Sequence, residues 1–113
     1  MSRKLDLEKM LVDVINENFV FDIEHLSDWS KMLFGYYSGL HDAEGAFKGD
    51  LNSAKNFHKN TLPESSVFIM FSTDSSNGIV VVEKGNSRKS CDNEKILARA
   101  YLIAVLKTLI AEA

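Results

Sequence analysis

Few stretches of this sequence combine residue types that could do chemistry. His41, Asp42 and Glu44 stand between Gly39 and Gly45, close to Tyr36 and Tyr37. An imidazole with two carboxylates is a donor set for a hard metal or for acid–base work. The spacing argues against both. His41 and Asp42 are adjacent, not four apart as two ligands on one helical face must be. A solvated polar loop accounts for the same residues, and Tyr37, His41, Asp42 and Glu44 are retained as partner-binding candidates.

A second cluster is basic. Lys84, Arg88, Lys89 and Lys95 surround Gly85-Asn86-Ser87, with Ser90 alongside. A turn with free amides, followed by a helix N-terminus, favours an anion or phosphate. Lys84, Arg88, Lys89, Ser90 and Lys95 are therefore the ligand-binding candidates. Gly85 to Ser90 lacks the spacing of a phosphate-binding P-loop, and a charged hairpin end is the plainer reading.

The remaining reactive types are isolated. Cys91 precedes Asp92, where a helix dipole could lower a thiol pKa. No Cys–His signature accompanies it, so a structural thiol is the expectation. His25 and His58 have no neighbouring ligand residues and read as edge or cap residues. No metal, no cofactor and no catalytic set is expected.

These residues sit in a chain of 113 residues, 45% hydrophobic and 26% charged, which suits one domain spanning 1–113. The formal net charge is −3, which disfavours nucleic acid as a partner. One cysteine excludes an internal disulfide and fits a reducing, cytoplasmic setting. No apolar run follows the basic residues near Met1, so no secretory signal is expected. Arg99, Lys107 and Glu112 interrupt the most apolar segment, and no membrane partner is expected.

The elements that must position the candidates follow from periodicity. Leu7, Met10, Leu11, Val14 and Ile15 form a helical stripe, with Asp6 as N-cap. Phe19, Phe21 and Ile23 alternate as in a short strand. A short helix starts near Ser27 with Trp29, Met32, Leu33 and Tyr36 on one face, ended by Gly35. Ser38 to Gly49 reads as a surface loop, at most with a helical turn. Asp50 caps a helix from Leu51 that Pro63 stops. Val67–Phe71 and Ile79–Val82 flank Asn77-Gly78 as hairpin strands, and their unbroken apolar runs predict a sheet covered on both faces. Arg88–Cys91 reads as a charged edge strand. A final helix is predicted from Asp92 as N-cap. Its Ile96, Ile103 and Ile110 recur every seven residues away from the main core face, and are the candidates for an oligomer interface.

Several of these pieces together resemble the phage ABA-sandwich domain family, a group of small phage and prophage proteins. The elements in question are Tyr37-Ser38, Leu51-Asn52-Ser53-Ala54, Leu62-Pro63-Glu64, the strand Val67–Phe71 and the helix Ile96 to Lys107. The resemblance covers Tyr37 to Ala113, with His41 to Gly49 as an insertion. It implies a phage origin and brings no catalytic motif.

The expectation is thus an α+β fold: a helix-sheet-helix (α-β-α) sandwich with a three- to four-stranded antiparallel sheet and a long C-terminal helix. The functional expectation is a non-enzymatic phage accessory protein in the cytoplasm of an infected bacterium. It would bind a host or phage protein, in host takeover or counter-defence. The alternative is an oligomeric binder of a small anionic or nucleotide ligand, with a homodimer as the simplest assembly.

Overall fold

The final helix organises the molecule, because apolar residues occupy almost every side of it. In a computed structural model, which describes residues 3–18, 26–71, 78–92 and 95–113, this helix is α5, Leu97–Glu112. Ahead of it come α1 (Arg3–Ile15), α2 (Leu26–Phe34), α3 (Gly39–Phe47), α4 (Leu51–Thr61), β1 (Ser66–Phe71), β2 (Gly78–Lys84) and β3 (Ser87–Cys91). The architecture is α+β. One side of α5 lies on β2 and β3, and α1, α3 and α4 pack against its other sides. Ala98 to Leu106 are all buried, as are Thr108 and Leu109. A helix apolar all round must be covered all round, and here other layers of the same chain supply the cover.

The strands form an antiparallel meander in the order β1-β2-β3. The register pairs Val67 with Val82, Ile69 with Val80, and Val80 with Cys91, placing these five on the face towards α5. Phe68 pairs with Val81 and Met70 with Ile79 on the opposite face. Among the described residues no helix covers this outer face. Phe68, Met70 and Ile79 remain 49%, 48% and 40% exposed while Val81 beside them is buried, so the described residues cover this face only in part, where the unbroken apolar runs predicted full cover. The β2–β3 connection is the two-residue turn Gly85-Asn86 between the paired Lys84 and Ser87. Gly85 has φ +58 and Asn86 does not share its sign, the pattern of a type II′ hairpin.

The stretch read as a surface loop is a helix. In α3, Leu40, Ala43 and Ala46 are buried, and its glycines serve close packing. A Cβ on Gly45 would collide with Ser53 Oγ of α4, and one on Gly39 would lie 2.5 Å from Phe34 Cδ2 and 2.8 Å from Ser30 Oγ. Glycine content signalled a loop by its conformational cost; the packing gain between helices outweighed it. Gly39→Ala should therefore destabilise by about 1–3 kcal/mol, read as a lower urea midpoint. An unchanged midpoint would show that Phe34 moves aside freely.

Two predicted caps shift. α1 starts at Arg3, so Asp6 lies in its first turn, with Oδ2 buried and unpartnered among the described residues. α5 starts after Ile96, not Asp92. Asp50 does cap α4, accepting from Asn52 N at 3.0 Å and Ser53 Oγ at 2.8 Å. The strand predicted over Phe19–Ile23 lies outside the described residues.

Candidate functional site

Two short side-chain contacts converge on His58, near the end of α4. The residue is 7% exposed. Nδ1 lies 2.5 Å from Tyr101 Oη of α5, and Nε2 lies 2.6 Å from Ser65 Oγ just before β1. Ser65 Oγ donates to the Leu62 carbonyl at 2.6 Å. The helical period of α4 turns Phe57 and His58 inwards together. Pro63 forces the chain out of the helix, and the turn that follows brings Ser65 back over the imidazole.

A serine hydroxyl beside an imidazole that a third group orients is the outline of an activated nucleophile. Counting hydrogens gives a different result. Tyr101 has one hydroxyl hydrogen, and its described hydrogen-bond partner is His58 Nδ1. If Tyr101 donates to Nδ1, then Nε2 carries the ring hydrogen and donates to Ser65, whose own hydrogen goes to Leu62 O. Every group is then satisfied. The reverse tautomer strands the tyrosine hydrogen and takes the closer of two donors from the Leu62 carbonyl, leaving Ser65 N at 3.2 Å. The imidazole thus donates to the serine and does not act as its base. Burial pushes the His58 pKa down and the Tyr101 pKa up to about 12. The chain Tyr101–His58–Ser65–Leu62 latches α5, α4 and the approach to β1 together. Accordingly, Ser65→Ala should cost about 1 kcal/mol, and a fluorophosphonate probe should leave Ser65 unlabelled by mass spectrometry. Labelling that requires His58 would overturn the structural assignment.

The residues predicted from sequence are dispersed. Asp42 accepts from Tyr36 Oη at 2.9 Å, and Glu44 of α3 pairs with Lys48, the C-cap of that helix. Desolvation raises the Tyr36 pKa, and Asp42 adds to the shift. His41 and Tyr37 are exposed; Lys31 Nζ sits 4.9 Å from the centre of the Tyr37 ring. No group of three or more potential metal ligands occurs among the described residues.

The basic turn is largely neutralised. Lys84 pairs with Glu112 at 2.8 Å, and Arg88 with Glu83 at 3.3 Å. Lys95 is exposed, while Ser90 presents its carbonyl to Lys107 Nζ at 2.9 Å. Lys89 differs. It pairs with Val82, so it lies in the row facing α5, at the margin of the sheet. There it lines a shallow groove of about 260 Å³ with Leu11, Lys107, Ile110 and Ala111. Of the interface candidates, Ile103 is 3% exposed, enclosed by this chain, while Ile96 and Ile110 are partly buried. A symmetric contact on that stripe would rest on Ile96 and Ile110 alone. Cys91 is buried on the inner sheet face, five residues ahead of the N-cap of α5, so the proposed dipole effect on its thiol has no helix end to act from.

Sequence reasoning missed the His58 latch, since its partners are 7 and 43 residues away. It also missed Arg99, which is 8% exposed. Arg99 Nε donates to Phe47 O at 2.9 Å and NH1 to Glu17 Oε1 at 3.1 Å, and the guanidinium lies 4.0 Å from the centre of the Phe47 ring. Glu17 itself has φ +61, a backbone state uncommon outside glycine. The signal in the sequence was a cation among the apolar residues that begin the final helix. No described helix is long and apolar enough to cross a membrane. No family model, curated protein or solved structure matches the chain.

Proposed function

We propose that this chain is a non-enzymatic interaction protein, which docks a host or phage macromolecule on the outer face of its sheet. The observation that carries this reading is the adjacency of Phe68, Met70 and Ile79 on that face, each at least 40% exposed. Scattered exposed apolar residues are ordinary; neighbouring ones on a flat face mark contact sites. The patch is neutral at its margin, where Glu83 and Arg88 pair with each other. Its partner therefore offers a matching apolar surface in preference to a strongly charged one. The phage setting rests on the resemblance of Tyr37 to Ala113 alone.

The test is capture from infected-cell lysate by immobilised protein, beside the Phe68→Asp/Met70→Asp variant checked for native circular dichroism. The expected result is a defined partner retained by the parent protein and lost, at least tenfold, by the variant. Equal retention by both, or nothing above background with the parent protein, would refute the reading.

A further inference from the structure

On the other side of the sheet, Leu11 of α1 and Ile110 and Ala111 of α5 line the shallow groove, and two lysines, Lys89 of β3 and Lys107 of α5, share its lining. Neither lysine has a carboxylate within 4.0 Å among the described residues; the ion pairs there are Lys48–Glu44, Lys84–Glu112, Arg88–Glu83 and Arg99–Glu17. The contrast within one hairpin is the informative point. Lys84 and Arg88 have acidic partners, whereas Lys89, one position beyond Arg88, faces an apolar groove without one. Lys107 gives one of its three hydrogens to Ser90 O, which leaves two donors.

We propose that this groove binds a small amphiphilic anion, a free alkyl carboxylate. Its head sits between the Lys89 and Lys107 ammonium groups and its tail lies on Leu11, Ile110 and Ala111. Charge complementarity selects the head. The apolar lining selects the tail, because a small hydrophilic anion would leave that lining wet. Size selects the length. At about 30 Å³ per water-sized group, 260 Å³ holds roughly eight or nine non-hydrogen atoms, the size of an eight-carbon chain with its carboxylate at the mouth. A groove this open gives modest affinity, with a dissociation constant of about 1–6 mM for a ligand of ten such atoms. The site is independent of the outer sheet face, so each proposal can fail alone.

The experiment is a titration of the isotopically labelled full chain with sodium octanoate, followed by amide and lysine-side-chain NMR shifts. Acetate and octyl glucoside serve as the head-only and tail-only controls. Saturable shifts are expected at Leu11, Lys89, Lys107, Ile110 and Ala111, with each control binding at least tenfold more weakly. Lys89→Gln has no partner to lose and should retain the fold; it should weaken octanoate about tenfold, and Lys107→Gln should do the same. Sedimentation with anionic phospholipid vesicles separates the two sources of such an anion. Binding to vesicles without binding of free octanoate would overturn the assignment to a free ligand. No saturable shift up to about ten times the expected dissociation constant, shifts confined to Phe68, Met70 and Ile79, or equal binding of octyl glucoside would each overturn the site.

Discussion

His58→Ala is expected to lower stability by about 3–4 kcal/mol in urea unfolding at pH 7.5. The substitution leaves the hydroxyl of the buried Tyr101 without its described acceptor, at about 1–3 kcal/mol. The volume of a buried ring is lost as well. Tyr101→Phe removes the same hydrogen bond with little change of shape, leaving Nδ1 without its donor, and should cost about 1–2 kcal/mol. The double variant should be less destabilised than the two costs added, by about 1 kcal/mol or more. Strict additivity would mean that the two groups do not act as a pair.

The same latch sets a pH dependence. Burial lowers the His58 pKa in the folded protein below its unfolded value of about 6.5. The unfolded chain then binds more protons than the folded one as pH falls below that value. Stability is full above about pH 6.5 and declines towards the folded pKa, by at most about 1.4 kcal/mol per pH unit. Protonation would also convert Nδ1 from acceptor to donor and oppose the Tyr101 hydrogen. Urea midpoints at pH 7.5 and 5.5 should separate in the parent protein more than in His58→Ala. Equal separation would remove His58 from the pH response.

Arg99→Met is the second large effect, at about 2–4 kcal/mol. Methionine keeps much of the packing against Phe47 but removes the donor to its carbonyl and the link to Glu17. The ion pair itself contributes the smaller part, because the Glu17 side chain is 72% exposed and water screens it. Glu17→Gln should therefore cost under about 1 kcal/mol, far less than Arg99→Met. If the two variants are equally destabilised, the Glu17 carboxylate matters more than its exposure implies.

Much of the framework was legible because it rests on local signals. The hydrophobic stripe of α1, the Asp50 cap, the Pro63 stop and the apolar runs of β1 and β2 each depend on a few neighbouring residues. The failures share a cause too. α3 was hidden because Gly39 and Gly45 read as loop residues, and only the tertiary neighbours Phe34, Ser30 and Ser53 explain them. The start of α5 moved past Asp92 since a good capping residue marks where a helix could begin, not where packing lets it. The outer sheet face read as covered because periodicity cannot tell a strand buried on both faces from one that exposes apolar side chains.

The candidate site was less legible still. His58, Tyr101 and Ser65 carry no motif, and their meeting depends on how α4 crosses α5. The basic residues at 84 to 95 looked like one cluster. Strand alternation divided them, sending Arg88 to Glu83 on one face and Lys89 to the groove on the other.

The central position of α5 also bears on how the molecule comes into being. This helix follows every element it joins, so a ribosome delivers the sheet and four helices before the piece that unites them. Until Leu97–Glu112 emerges, the inner strand row of Val80, Val82 and Cys91 has no helix to lie against, and α1, α3 and α4 lack their common neighbour. Packing of these elements must wait until Leu97–Glu112 has been made. In that interval the nascent protein shows apolar surface on both faces of its sheet, the state in which chaperones find their clients.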